Sequence, residues 1–550
     1  MNRHPAATVL IAWLLACGSS AVGQSISPIG WSLPWGIEVG EPIAMRPDGE
    51  WIAFAEAPFG YCTPSTITHQ LSIVRPDGTG YRVVLDVPTL SKLWPSTINP
   101  NRIEQIRWAG NTDRLVFWWY DLYAFTCGEV YGPLHYYLVD VVAGSVEEFS
   151  FNGVAADDVS FTDDGQTMVF LGWDPVTESY AAHRAGPNGE DAVPFLYPLP
   201  GDTFQGIVSG DGSRFLWLSI DLSSFDYLTD VYVYEFATQQ STKLTPAPVD
   251  ILSGASLSYD GSRVVYSVDA AYPGFAKIVG VNADGSGYHE FSVPLTAVGS
   301  TTTLTRDGKS VFVAGSGSIF GACYRVGWDG SGLELVSNFY GKFFGWLHEI
   351  PVNFDGSLQA HWFQEPPQRP GSCLAVAAMD TAWLTTYPGY TPDEDLIWDI
   401  AGQPGDSWIL AWATESAELP LGSLGTLGLD PGKLRVLASG KVGGPYNVGT
   451  VKVGLPPDLA ALGHVPLYFQ ALVKGATGGQ LTNVTTLRLD SFLDAAGPPA
   501  AAAKAPPVDH VPYVPSEHGR RLRFLASHPM LWRMYGEALT PVRVSGVGGR

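Results

Sequence analysis

FTDDGQTMVF (161–170), VSGDGSRFLW (208–217), LSYDGSRVVY (257–266) and LTRDGKSVFV (304–313) are variants of one unit. Each is an apolar stretch, an Asp-Gly pair, and a second apolar stretch. MRPDGEWIAF (45–54) is an earlier copy, NFDGSLQAHW (353–362) a weaker one, and RWAGNTDRLVF (107–117) a degenerate one. The turn aspartates Asp164, Asp211, Asp260, Asp307 and Asp355 recur every 47 to 49 residues. The earlier intervals are longer because 57–70 and 118–135 read as extended loops. Each unit has a second half ending in another such turn, as in SIVRPDGTGY (72–81), GVNADGSGYH (280–289) and RVGWDGSGLE (325–334). Asp-Gly tolerates the positive φ that tight hairpins demand. The short flanking runs, such as Val264-Val265-Tyr266-Ser267-Val268, have strand length and strand composition.

Strand, turn, strand, loop, strand, turn, strand is a four-stranded antiparallel meander. One meander cannot bury both of its faces, so a series of them must pack side by side. Seven units of this length predict an all-β, seven-bladed β-propeller. The weak copies at 107 and 353 leave six blades as the alternative. Composition agrees. The 550 residues include 62 Gly and 42 Pro, only 15% are charged, and 45% are hydrophobic. The chain can fill a large core and has little material for long charged helices. Its 31 Lys+Arg against 54 Asp+Glu give a net charge of −23, which excludes nucleic acid as a natural partner.

The units resemble the WD40-like PD40 repeat of TolB-like propellers over about residues 40–385. That resemblance implies the fold and little about function. TolB carries an α/β domain ahead of its propeller, whereas the first repeat here starts about twenty residues after the expected signal, so TolB's own role is not carried over. The propeller is expected over 24–387. A second unit over 388–492 is expected as a small β-sandwich. It resembles an uncharacterised C-terminal module of secreted bacterial proteins through Gly402-Gln403-Pro404-Gly405, Leu419-Pro420-Leu421-Gly422, Leu429-Asp430-Pro431 and Leu467-Tyr468-Phe469-Gln470-Ala471. Residues 493–515 read as a Pro/Ala-rich linker. Residues 516–550 read as a basic tail, helical or disordered, with Arg520, Arg521, Arg523, Arg533, Arg543 and Arg550.

The amino terminus reads as an address. The run VLIAWLLAC (9–17) is followed by GSSAVGQ, the order of a secretory signal over 1–23 cut before Gln24. Leu14-Leu15-Ala16-Cys17 offers a lipoprotein box as the alternative, with a lipid anchor on Cys17. No later stretch is long and apolar enough to cross a membrane as a helix. The expectation is an exported protein, extracellular or periplasmic, or an outer-membrane lipoprotein. In an oxidising compartment four further cysteines read as disulfides. Cys62, Cys127, Cys323 and Cys373 each follow their unit's turn by 14 to 18 residues. That shared phase predicts Cys62–Cys127 and Cys323–Cys373 between adjacent blades.

Catalytic signatures are absent from the sequence: no Gly-x-Ser-x-Gly, no His-Glu-x-x-His, no phosphate-binding loop. The meander puts the short turns on one face and the long loops on the other. Those loops, at 57–70, 119–135, 220–230, 269–276 and 316–323, are rich in Tyr, Phe and Asp. Binding residues concentrate on such loops. Asp121, Tyr123, Tyr131, Asp226, Tyr227 and Tyr272 are the candidate ligand-binding residues. The expected function is a non-enzymatic scaffold that binds a glycan or protein ligand on the long-loop face, without a cofactor. The alternative is a metal-dependent propeller enzyme, polysaccharide lyase or hydrolase-like, acting at the channel mouth. Its manganese or calcium would need ligands among scattered histidines such as His69, His135, His183 and His361.

Overall fold

The structure is a computed structural model. It describes residues 25–28, 37–58, 70–86, 103, 105–125, 128–149, 151, 155–174, 179–199, 202–220, 228–247, 255–268, 276–294, 300–315, 320–340, 350–364, 372–378, 382–387, 396–402, 405–443, 448–453, 465–475 and 478–487. The expected signal, linker and basic tail lie outside them.

The chain is all-β; one short 3-10 turn at Gly422–Leu424 is the only helical element among the described residues. After β1 (Ser25–Pro28) come six four-stranded antiparallel meanders. They are β2–β5 (Ile37–Met45, Ile52–Pro58, Gln70–Val74, Arg82–Leu85), β6–β9 (Gln105–Trp108, Arg114–Phe125, Gly128–Asp140, Ser145–Phe149) and β10–β13 (Ala155–Phe161, Met168–Asp174, Ser179–Ala185, Val193–Leu196). The next three are β14–β17 (Asp202–Val208, Arg214–Ile220, Thr229–Glu235, Gln240–Lys243), β18–β21 (Ala255–Leu257, Arg263–Val268, Ala276–Asn282, His289–Val293) and β22–β25 (Ser300–Leu304, Ser310–Gly315, Phe320–Gly327, Glu334–Tyr340). A seventh sheet pairs β26 (Leu358–Gln364) with β27 (Ser372–Ala378). A bridge from Val352 to Gln359 extends it inward, and β1 pairs outside β27, with Ser25 opposite Ala378. The N-terminal strand therefore completes the last sheet of the ring, which no turn motif announces.

Local chemistry repeats with the motif. The hydroxyls of Thr162, Ser209, Ser258 and Thr305 each donate to the turn aspartate two residues on, at 2.6–2.7 Å. Each also accepts the backbone N–H five residues on, at 2.9–3.1 Å. One side chain thus closes both arms of the turn. Gly165, with φ +66, fills the remaining corner; a Cβ there would lie 2.5 Å from the Ala109 carbonyl oxygen of the preceding sheet. Only glycine satisfies both the conformation and the space.

The turns are also tied to one another. Asn111 N–H donates to Asp163 O (2.7 Å), Asp163 to Gly210 O (2.8 Å), Asp211 to Tyr259 O (3.0 Å) and Tyr259 to Arg306 O (2.7 Å). Asp307 donates to Phe354 O (3.1 Å) and Phe354 to Pro47 O (2.7 Å), and Asp48 N–H reaches Asn111 Oδ1 (2.9 Å). These bonds join every consecutive turn and return to the first, so the sheets form a closed ring. Arginines at the head of three of the second strands add a clamp: Arg114, Arg214 and Arg263 donate to Gly165 O, Asp260 O and Gly308 O of the next turn.

Deeper in, the innermost strands satisfy each other's free edges with side chains. Ser160 Oγ accepts Val208 N–H (2.9 Å), Ser256 Oγ accepts Leu304 N–H (3.0 Å), Thr303 Oγ1 accepts Ile350 N–H (2.8 Å) and Asp158 Oδ2 accepts Gly206 N–H (3.0 Å). Exposed strand edges are a liability that this arrangement removes. Between sheets, apolar faces interlock. Ile52, Phe54 and Val74 meet Leu358, Ala360 and Val376 across the closure of the ring, and Leu71 and Ile73 meet Leu115 and Phe117 on the other side. Burying each such side chain fully contributes about 1.5–3 kcal/mol.

The C-terminal unit has two main sheets. One is β28 (Trp383–Tyr387), β29 (Leu396–Ala401) and β34 (Val448–Val453). The other is β33 (Arg435–Lys441), β30 (Ser407–Ala413), β35 (Leu467–Gly475) and β36 (Gly478–Leu481), with β37 (Thr485–Leu487) also on β35. A two-stranded ribbon, β31 (Ser416–Pro420) with β32 (Thr426–Leu429), accompanies them. Leu384, Trp398, Ile400 and Val451 share a core with Trp408, Leu410, Phe469 and Ala471. The boundary expected at 387/388 moves toward the N-terminus. β28 pairs with β29 from Trp383 onward, and Ala382 already lies in this core.

Candidate functional site

Three candidate residues, Asp121, Tyr123 and Tyr131, fall on one structural feature. The stretch 119–135, expected as a loop, is instead the extended end of the β7–β8 hairpin, with only 126–127 left between the strands. Trp119 pairs with His135, Leu122 with Tyr131 and Tyr123 with Val130; Asp121 sits at a bulge between Tyr120 and Leu122. Alternating apolar and aromatic residues carry the strand pairing onward. β6 stops at Gln105 opposite Trp118, and β9 at Phe149 opposite Tyr136. Among the described residues, Trp119–Phe125 and Gly128–His135 therefore pair only with each other. Seven further strand residues extend this ribbon by about 23 Å. Asp226, Tyr227 and Tyr272, with Cys62 and Cys127, lie outside the described residues.

Cys323 is a free, fully buried thiol. Its Sγ accepts a hydrogen bond from Gln359 Nε2 at 3.4 Å, and burial pushes its pKa up to about 12. The bridge expected to Cys373 is not made here. Cys323 pairs opposite Ala314 and Cys373 opposite Phe363, seven and eight residues past their turn aspartates, so the shared phase is off by one step of register. His135 contacts Glu148 at 3.0 Å and His183 stacks on Phe170 at 4.9 Å. His361 pairs opposite Ala375, and His69 lies outside the described residues. Among the described residues no three His, Cys, Asp or Glu side chains gather to hold a metal ion.

The site that sequence reading missed is on the opposite face. In most units the residue before the turn aspartate follows no pattern: Pro47, Asp163, Gly210, Tyr259, Arg306, Phe354. Their side chains meet across the ring. Arg306 Nη2, from the sixth turn, lies 3.4 Å from Asp163 Oδ1 of the third. The rings of Tyr259 and Phe354, from the fifth and seventh turns, are 5.7 Å apart and tilted. Contacts that skip intervening sheets of a closed ring must pass over its middle, so these groups cover the turn-face mouth. Gly210 makes the approach possible: a Cβ there would lie 2.3 Å from Tyr259 Cδ2 and 2.8 Å from Asp163 Cγ.

Asp163 is the unusual member. It is 5% exposed, and neither carboxylate oxygen makes a hydrogen bond. Burial pushes its pKa above the ordinary aspartate value; Arg306 opposes the rise, and Asp164 and Asp211 add to it. The neighbouring turn aspartate behaves oppositely. Asp164 is held below the usual range by the Thr162 hydroxyl and the Gln166 N–H. The mouth thus combines a buried, unbonded carboxylate, a guanidinium and two aromatic rings.

Fold and site together define an all-β propeller with a filled turn-face mouth. No family model matches the chain, and no curated protein matches it. Among solved structures it is similar to TolB from Acinetobacter baumannii, at 17% identity and TM-score 0.35, covering 55% of this chain and 63% of that one. The chain thus spans less than two thirds of that TolB. It is similar to an oligogalacturonate lyase in complex with manganese, at 10% identity and TM-score 0.44, covering 66% and 95%. A third likeness is the β-propeller domain of the Trilobed protease from Pyrococcus furiosus, at 12% identity and TM-score 0.41, covering 64% and 97%. What these proteins have in common with the chain is the propeller fold. Among the described residues no helix is long and apolar enough to cross a membrane.

Proposed function

We propose that this protein is an exported, envelope-associated or freely secreted propeller that binds a glycan or protein ligand on its long-loop face, without catalysis of its own. The observation that carries the reading is the β7–β8 ribbon, which continues past its neighbours and bears Asp121, Tyr123 and Tyr131. Tyr with Asp suits a sugar, whose ring face stacks on the aromatic while carboxylates take hydroxyl protons. It also suits a protein surface, where Tyr is enriched. The filled mouth opposite supports the same choice of face. Export follows from the leader-like residues 1–23, with a lipid on Cys17 as the anchored form.

The test is a glycan and peptide array probed with the chain from Gln24, followed by the Tyr123→Ala/Tyr131→Ala variant. Binding lost by the variant at an unchanged thermal midpoint supports the reading. A silent array, together with divalent-metal-dependent turnover in a lyase and hydrolase panel, overturns it in favour of the enzyme.

A further inference from the structure

We infer that the turn-face mouth is a receptor for a cationic side chain, lysine or arginine, of a partner polypeptide, and that Arg306 occupies it in the isolated protein. This site is separate from the long-loop face and does not depend on it. Buried polar groups are almost always hydrogen-bonded, and an exception calls for an explanation. Asp163 is such an exception, with both oxygens unbonded at 5% exposure. Its position over the middle of the ring places it where an incoming group can arrive.

Arg306 is a poor permanent partner. At 3.4 Å it stands well beyond the 2.7–2.9 Å of a charge-assisted hydrogen bond. Among the described residues its guanidinium makes no hydrogen bond, and its side chain is 26% exposed. It shows that the mouth accepts a planar cation, and that this one is held loosely enough to be displaced. Tyr259 and Phe354, 38% and 39% exposed with rings 5.7 Å apart, hold the same place in their repeats, and Gly210 lies against both Tyr259 and Asp163. An aromatic face attracts a cation that comes within about 6 Å of it. Around them Asp164, Asp211, Asp260 and Asp355 are exposed on the turns. Their field draws positive groups toward the mouth and repels anions.

The probes are Nα-acetyl-arginine amide and Nα-acetyl-lysine amide, with Nα-acetyl-glutamate amide as control. Each is titrated by calorimetry into the chain from Gln24 and into its R306A, D163N and Y123A/Y131A variants. A competitor held within the molecule lowers apparent affinity by the fraction of molecules it occupies. R306A is therefore expected to bind the cationic probes about tenfold more tightly than the parent. D163N is expected to lose them, and Y123A/Y131A to leave them unchanged. Equal binding by R306A and the parent, retained binding by D163N, or binding of the glutamate probe overturns the proposal. Thermal midpoints of each variant exclude loss through unfolding.

Discussion

Replacing Asp163 with asparagine keeps the shape of the mouth and removes a charge that burial penalises. A buried polar group without a partner costs about 1–3 kcal/mol, more when charged. The contact with partly exposed Arg306 offsets about 0–1 kcal/mol of this. Asparagine, still unbonded but neutral, should therefore stabilise the ring by about 1 kcal/mol at neutral pH. The dependence on pH has a definite sign. Because burial raises the Asp163 pKa above its ordinary 3.8, the folded chain holds that proton more tightly than the unfolded chain. The penalty is complete above the folded pKa, fades as pH falls through it, and is gone below about pH 4. Scanning calorimetry of both proteins from pH 4 to 8 should show the variant melting about 1–2 °C higher at neutral pH. The two curves should converge in acid. A variant less stable than the parent at pH 7, or a difference that ignores pH, would refute the assignment of Asp163 as a strained carboxylate. A variant both more stable and unable to bind cations would carry the usual signature of a functional residue.

Gly110→Ala should cost about 2 kcal/mol or more in urea denaturation. Its φ is +62 and the new Cβ would lie 2.4 Å from Asp163 O; a cost under 0.5 kcal/mol would count against the close approach of the turns. Cys323, buried with its pKa near 12, should resist iodoacetamide at pH 8 in the folded protein and react on unfolding. Mass spectrometry reads the adduct, and rapid native labelling would contradict the burial. Removing Ser25–Pro28 should expose the outer edge of β27, lower the thermal midpoint and speed proteolysis near 372–378. An unchanged midpoint would show that β1 does not fasten the ring.

The ring was legible because its turns are chemically repetitive. The Asp-Gly pairs, and in four sheets the Ser or Thr ahead of them, close the turns through the same hydrogen bonds, so they recur at near-constant spacing. The pieces that do not recur were harder to read. Ser25–Pro28 carries no turn and no period; only its partner β27 defines it as a strand. The stretch 119–135 was read as a loop for its length, although Trp119-Tyr120 and Leu122-Tyr123 are strand formers. Its Gly132-Pro133 pair hid the pairing behind a bulge. The mouth was missed because function there sits in variation. Asp163, Tyr259, Arg306 and Phe354 share one position in the repeat and no chemistry, and a search for common residues passes over them. The variable position inside an otherwise regular motif was the available signal.

The pairing of Ser25 with Ala378 also sets an order of events. Ser25–Pro28 must wait, unpartnered, until nearly the whole circle has been made. Each sheet can form locally as it emerges, but the last one stays incomplete until β1 returns to it. Such a distant contact carries a high entropic cost and comes late. A chain interrupted anywhere before β27 keeps an open flank, which is a target for proteases and a template for aggregation.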